Sequence, residues 1–171
     1  TDNIMIGQDS GKILTSGAWN VFIGRSSGEC ITTGGCNIAI GKSAGGTLAS
    51  GHCNIMLGVS SMQSSTDARR NIAIGEVALP NLTTGCCNVA IGQASGLANY
   101  TGSCNVYLGL CSGPQSHSHC CGCCDIAIGY KAGASGCEYG ANVTIGFEAG
   151  CCLQTGCYNI YLGKGAAVSA T

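Results

Sequence analysis

The sequence predicts an all-β protein, a parallel β-solenoid (β-roll) of ten coils with 17 residues each. Three observations predict it: a repeat spans residues 1–171, every unit carries a short apolar stretch, and Gly follows that stretch in every unit. Self-similarity at a short fixed period is typical of solenoids. The pattern Asn-(Ile/Val)-x-(Ile/Leu)-Gly begins at residues 3, 20, 37, 54, 71, 88, 105, 142 and 159, with Asp125 in the eighth unit. We expect one domain with a three-residue insertion near 117–122.

The recurring pattern predicts one short strand in each coil. The residue after Asn is always Ile or Val, and the residue two further on is always Ile or Leu. Because side chains alternate between the two faces of a strand, these two columns share a face, which we expect to line the core. The Gly that follows suits a corner with positive φ or close backbone approach. Three residues later only Ser or Ala occurs, so that column has no room for bulk.

Two further columns support stacking of the coils. A looser apolar column contains Leu14, Ile31, Leu48, Leu82 and Leu153. The Asn column predicts an amide ladder, in which each side chain bonds its copies in neighbouring coils, spaced ~4.8 Å apart. Asp125 breaks this ladder beside the insertion.

The residue between the two aliphatic positions is expected to face outward, and none of its ten copies is charged. A long apolar stripe on a soluble protein usually marks an interface, although a glycine-rich surface could also simply tolerate small apolar residues. The interface candidates are Met5, Phe22, Met56, Tyr107 and Tyr161.

The chain has 15 cysteines, a content typical of disulfide-bonded proteins outside the cell. Several fall in the same columns, and in-register stacking places them within the Cα spacing of a disulfide. The disulfide candidates are Cys36, Cys53, Cys86, Cys87, Cys104, Cys123, Cys124 and Cys157. The alternative is that stacked cysteines are small apolar residues without bonds.

The insertion carries the one metal-like cluster in the sequence. It contains His117, His119, Cys120, Cys121, Cys123 and Cys124, which are ligand types that suit zinc. The second, separated pair of a zinc finger is missing, so disulfides are the favoured interpretation and we expect neither a metal nor a cofactor.

Composition excludes several classes of function. The net charge of -1 gives no electrostatic reason for nucleic-acid binding, and no apolar run reaches the ~18 residues of a membrane span. The three histidines show no triad-like arrangement with a nucleophile and a carboxylate. We therefore expect neither catalysis nor membrane insertion.

The stretches 35–41 (Gly-Cys-Asn-Ile-Ala-Ile-Gly) and 87–92 (Cys-Asn-Val-Ala-Ile-Gly) resemble the repeats of trimeric autotransporter adhesin heads. They are also similar to repeats in tail-fibre and surface-fibre proteins of phages and large viruses. The resemblance implies a β-roll in which three chains pack side by side, displayed for attachment. The longer unit and the abundant cysteine depart from the adhesin pattern.

Together these features predict a structural subunit of a disulfide-stapled fibre or filament, extracellular or on a virion surface, whose partners are copies of itself that assemble as a lateral trimer, end to end, or both. The first alternative is a trimeric attachment module that binds a receptor or glycan. The second is an ice-binding solenoid, since loop threonines such as Thr15, Thr32 and Thr83 would stack as a hydroxyl ladder.

Overall fold

The computed structural model describes residues 2–115, 122–134, 140–152 and 156–167. Its regular elements are ten three-residue strands: β1 (Ile4–Ile6), β2 (Val21–Ile23), β3 (Ile38–Ile40), β4 (Ile55–Leu57), β5 (Ile72–Ile74), β6 (Val89–Ile91), β7 (Val106–Leu108), β8 (Ile126–Ile128), β9 (Val143–Ile145) and β10 (Ile160–Leu162). They form one sheet in chain order. Every neighbouring pair is parallel, which confirms the predicted β-solenoid.

Equivalent residues of successive coils lie directly beside one another. Val21 pairs with Ile38, for example, and Ile23 pairs with Ile40. The pairing of Val106 with Ile126 keeps this register across the insertion. Each coil therefore advances the solenoid by one strand spacing, ~4.8 Å.

The asparagine column forms the predicted ladder inside the solenoid. The side-chain amide of Asn37 donates to Oδ1 of Asn20 at 3.2 Å and to the carbonyl of Gly51 at 2.8 Å. Its own Oδ1 accepts from the backbone N–H and the side-chain amide of Asn54, both at 3.0 Å. Since Asn37 is fully buried, these bonds satisfy polar groups that water cannot reach.

The predicted orientation of the strands is wrong. The middle residue of each strand points into the coil, as the full burial of Phe22, Ala39 and Met56 shows. The flanking aliphatic residues point outward, and Ile38 and Ile40 stay 37% and 39% exposed. The ladder explains this arrangement: Asn lies two residues before the middle position, so side chains with period two must share its inward direction.

The other column predictions are confirmed where the structure describes them. Ile31, Leu48 and Leu82 are fully buried. The Ser/Ala column is buried in the eight inner coils and half-buried at Ser10 and Ala166, and Ser27 donates its hydroxyl to the carbonyl of Ala39 at 2.7 Å. Leu153 lies outside the described residues.

The glycine after each strand has positive φ, and all of these glycines except Gly163 in the last coil also lie against the backbone of the next coil. Gly24 has φ +130°, and a β-carbon added there would lie 2.7 Å from the carbonyl oxygen of Gly41 in the next coil. Any other residue would combine a strained backbone with a clash against backbone atoms. The corner therefore sets how closely successive coils stack.

Candidate functional site: an aliphatic sheet face beside a cysteine ladder

The outward face of the sheet is a strip of aliphatic side chains, which we call the aliphatic strip. Its first column contains Ile4, Val21, Ile38, Ile55, Ile72, Val89, Val106, Ile126, Val143 and Ile160. Its second column contains Ile6, Ile23, Ile40, Leu57, Ile74, Ile91, Leu108, Ile128, Ile145 and Leu162. Exposure is not confined to the end strands, since Ile91 in β6 is 41% exposed. A continuous apolar surface of this kind usually marks an interface.

Apolar residues also border one side of the strip. Val59, Leu110 and Phe147 stand two residues after the ends of their strands, and all three are exposed. The ring of Phe147 stacks on that of Tyr130, with 5.1 Å between the centroids. The apolar surface therefore extends past the glycine corner in several coils.

The other side of the strip is bordered by residues in the left-handed backbone region. The residue before each Asn has positive φ in all ten coils, from 57° at Arg70 to 65° at Cys124. Five of these residues are exposed cysteines, which we call the cysteine ladder: Cys36, Cys53, Cys87, Cys104 and Cys124. This column therefore places thiols close to the edge of the aliphatic strip.

No protein-family model, curated protein or solved structure matches the chain.

Three of the five predicted interface residues are buried rather than on the surface. Phe22 and Met56 are fully buried and Tyr107 is 2% exposed, so these side chains fill the coil and cannot contact another chain. Met5 and Tyr161 belong to the same inward column but lie in the first and last strands, where Met5 is 40% exposed. The interface prediction was therefore made for the wrong face of the strand.

All eight disulfide candidates lie within the described residues, and the seven other than Cys123 are free thiols in the structure. Cys86 and Cys123 flank the ladder, one residue before Cys87 and Cys124. The backbone N–H of Ser103 donates to Sγ of Cys123 at 3.3 Å, and the backbone N–H of Cys86 donates to Oγ of Ser103 at 3.0 Å. Their pairing, like that of Cys157, stays a prediction.

Four of the six weak metal candidates, His117, His119, Cys120 and Cys121, lie outside the described residues. Within the described ranges, no group of three or more His, Cys, Asp or Glu side chains is arranged to hold a metal ion. The same ranges contain no helix that is long and apolar enough to cross a membrane.

The loop threonines use their hydroxyls within the solenoid. Thr15 donates to the carbonyl of Thr32 at 3.0 Å, and Thr83 donates to the carbonyl of Tyr100 at 2.8 Å. These bonds run from coil to coil, parallel to the backbone ladder. They give the threonine column a role in stacking of the coils.

The strip itself carries no charge, but charged residues occupy some positions of the columns that border it, such as Arg25, Lys42 and Glu76 two residues after their strands. Lys12 pairs with Asp9 at 3.3 Å and Glu29 at 3.7 Å, and the hydrogen bond with Asp9 is the main cause that raises the pKa of Lys12. Asp67 pairs with Arg69 at 3.0 Å, which lowers the pKa of that carboxyl. No strip residue is charged, so association through the strip would desolvate no strip charge.

Sequence reasoning missed the strip because it assigned the most apolar columns to the core. The signal that could have found it is the Asn column itself. Amides that form a hydrogen-bonded ladder are shielded from water, so the Asn side chains must point inward. Because side chains alternate between the two faces of a strand, the residues one and three positions after each Asn then point outward.

Proposed function

We propose that this protein is a non-catalytic structural subunit that associates side by side with copies of itself through the aliphatic strip. Such assemblies would build a fibre outside the cell or on a virion surface. The observation that carries the proposal is the exposure of Ile side chains in strands with a coil on either side, such as Ile38 and Ile40 in β3. All twenty positions of the strip are aliphatic.

The solenoid does not need these side chains for its own core. Its interior is filled by the middle strand residues, the Ser/Ala column and the buried residues near Leu48 and Leu82. Ile and Val favour strands, but Thr would serve that purpose on a solvated face. Their use in every coil therefore supports a second surface that covers them.

A second copy of the chain is the partner that fits best. The strip is flat along the sheet and repeats every ~4.8 Å, so an identical strip offers ridges and grooves of the same period. Side chains on such faces can interdigitate as they do between stacked sheets. The strip itself has no charged side chain that would repel the strip of a like copy.

The size of the strip indicates how far the contact must extend. Ten strands at ~4.8 Å and three residues at ~3.3 Å give a strip of roughly 500 Å². A standard interface buries about 800 Å² on each partner. The contact must therefore include bordering residues such as Leu110 and Phe147. We propose three chains packed around a common axis, in line with the adhesin-head resemblance.

Charged substitutions in the strip test this proposal. Ile40→Lys and Ile91→Lys place an ammonium group on an exposed position of a central strand, and Gln63→Lys adds the same charge at an exposed position outside the strip. We expect sedimentation equilibrium in reductant to give 17.0 kDa for both strip variants. Gln63→Lys should keep the assembled mass. Equal masses for Ile91→Lys and the unsubstituted protein would overturn the proposal, as would dissociation by Gln63→Lys.

A further inference from the structure

The cysteine ladder is divided into two groups by the sequence of the coils. Cys36 and Cys53 occupy the third and fourth coils, and Arg70 takes the same position in the fifth. Cys87, Cys104 and Cys124 occupy the sixth, seventh and eighth coils. The ladder therefore contains one group of two thiols and one group of three.

Backbone hydrogen bonds place the three thiols of the second group at equivalent positions. The N–H of Cys104 donates to the carbonyl of Cys86 at 2.9 Å, and the N–H of Cys124 donates to the carbonyl of Ser103 at 3.1 Å. Each cysteine lies two residues before its strand, and those strands pair in register, Val89 with Val106 and Val106 with Ile126. Their φ angles agree within a few degrees, at 61°, 61° and 65°.

This geometry allows neighbouring thiols to pair but not the outer two. Parallel neighbours lie ~4.8 Å apart, which is inside the Cα window of ~4.4–6.8 Å for a disulfide. Cys87 and Cys124 are separated by two coils, about 9.6 Å, which is beyond the window. Cys104 is therefore the one residue of the three that can bond either of the others.

We propose that Cys87, Cys104 and Cys124 form a thiol–disulfide exchange site in which Cys104 is the shared partner of a single inter-coil disulfide. The oxidant is a small disulfide such as oxidised glutathione. Two protein thiols lose two electrons and two protons, one S–S bond forms, and the glutathione disulfide is reduced to two thiols. The third protein thiol stays free. The inference does not depend on self-association through the aliphatic strip.

The bond can then move without further oxidant. The Cys124 thiolate attacks Sγ of Cys104, so a Cys104–Cys124 bond forms while the Cys87–Cys104 bond breaks. Cys87 leaves as a thiolate and takes up a proton. All three thiols are exposed, so both the oxidant and the proton have access to the site.

The surroundings of Cys87 slow the step in which Cys87 is the leaving group. A hydrogen bond with the Cys86 thiol raises the pKa of Cys87, with burial and the nearby Cys104 acting in the same direction and Arg70 against it. A more basic thiol is a poorer leaving group. Displacement of Cys87 from a Cys87–Cys104 bond is therefore slower than displacement of a thiol with an ordinary pKa.

The group of two provides an internal control. Cys36 and Cys53 occupy neighbouring coils, with φ 59° and 60°. The N–H of Cys53 donates to the carbonyl of Gly35 at 3.1 Å. A bond between them has no third thiol in register to displace it, because Arg70 follows. It should form under the same oxidant and stay in place.

Three single substitutions test the site. Each of Cys87→Ser, Cys104→Ser and Cys124→Ser removes one thiol from the full chain, which is then oxidised with glutathione disulfide, alkylated and cleaved with chymotrypsin for mass spectrometry. Cleavage after Tyr100 and Leu110 separates the three cysteines. We expect Cys87→Ser to contain the 104–124 bond and Cys124→Ser the 87–104 bond. Cys104→Ser should form no disulfide between Cys87 and Cys124, although both of these thiols remain.

The outcomes are distinct. The Cys36–Cys53 bond in all three variants shows that the coils still stack. The proposal is overturned if Cys104→Ser forms an 87–124 bond, because the spacing then does not control pairing. It is equally overturned if Cys87 pairs with Cys86, or if all three thiols of the unsubstituted chain are alkylated after oxidation while Cys36 and Cys53 pair.

Discussion

A β-carbon placed on Gly28 would lie 2.9 Å from Cδ1 of the buried ring of Phe22. The ring fills space that glycine leaves empty in its own coil, and it also approaches Gly11 of the preceding coil, with 3.1 Å to a β-carbon placed there. In the fifth coil the column of Gly28 carries Leu79 and the strand has the small residue Ala73, whereas in the fourth coil Met62 accompanies Met56, whose Sδ would lie 2.9 Å from a β-carbon placed on Gly45 of the preceding coil. The core is therefore filled by compensation between two columns.

This compensation predicts a strong penalty for Gly28→Ala. The substitution adds a clash with Phe22 to an unfavourable φ of +58°, and we expect a loss of about 2–4 kcal/mol in the free energy of unfolding. Gly133→Ala is the matched control, since φ is +63° but the nearest side chains are those of Thr144 and Ala127. It should cost less. Urea denaturation measures both values, and equal losses would contradict the packing account.

Substitutions at two neighbouring residues of β6 test which side chains of the strand face the core. Ala90 is fully buried and Ile91 is 41% exposed. Ala90→Lys would bury an unpaired charge, which costs several kcal/mol, so we expect an unfolded or aggregated chain. Ile91→Lys should keep the circular dichroism spectrum of the parent. If Ile91→Lys unfolds and Ala90→Lys does not, Ile91 faces the core and Ala90 faces outward.

Substitution of Asp125 by Asn is expected to raise the stability of the solenoid by an amount that depends on pH. Its Oδ1 accepts from the backbone N–H and side-chain amide of Asn142, at 2.9 and 3.3 Å, but a carboxylate cannot donate to Asn105 as an amide would. Burial raises the pKa of Asp125 above its ordinary 3.8, against the hydrogen bonds from Asn142. Asp125→Asn should stabilise the solenoid by about 1–3 kcal/mol at neutral pH.

The sign of the pH effect follows from the raised pKa. The folded chain binds the Asp125 proton more tightly than the unfolded chain does, so the stability of the parent falls as pH rises from 3.8 through the raised value. The advantage of Asp125→Asn is therefore full above that value and smaller below it. Thermal unfolding across this range measures it. A gain that does not change with pH would show that the carboxyl does not titrate differently on folding.

Substitution of Asn71 by Asp should have the reverse effect and lower the stability, because Asn71 lies within an intact stretch of the ladder. Its side chain donates to Asn54 and Gly85 and accepts two bonds from Asn88, all between 2.9 and 3.1 Å. Asn71→Asp keeps the acceptor but loses the donors and buries a carboxylate, so we expect a loss of about 2–4 kcal/mol at neutral pH. The loss should shrink on acidification. Urea titrations at two pH values test both statements.

The sequence was sufficient to predict the architecture, but the prediction placed the wrong side chains of each strand in the core. The 17-residue period, the Gly corners and the Asn ladder each follow from residue identity alone, because they reflect backbone geometry and amide bonding. The orientation of the strand side chains was predicted wrongly because Ile and Val were assumed to be core residues. The inward position varies in size from coil to coil, and the side chains of Phe22 and Met56 fill the space beside Gly28 and Gly45, a relationship that emerges only when both columns are compared in three dimensions.

The aliphatic strip is the central claim about function, and the native mass of the unsubstituted chain tests it most directly. Light scattering on a sizing column, with reductant present and at several concentrations, removes any contribution from disulfides. We predict a species of three times 17.0 kDa that dissociates only on dilution. A chain that remains at 17.0 kDa at every concentration would contradict association through the strip.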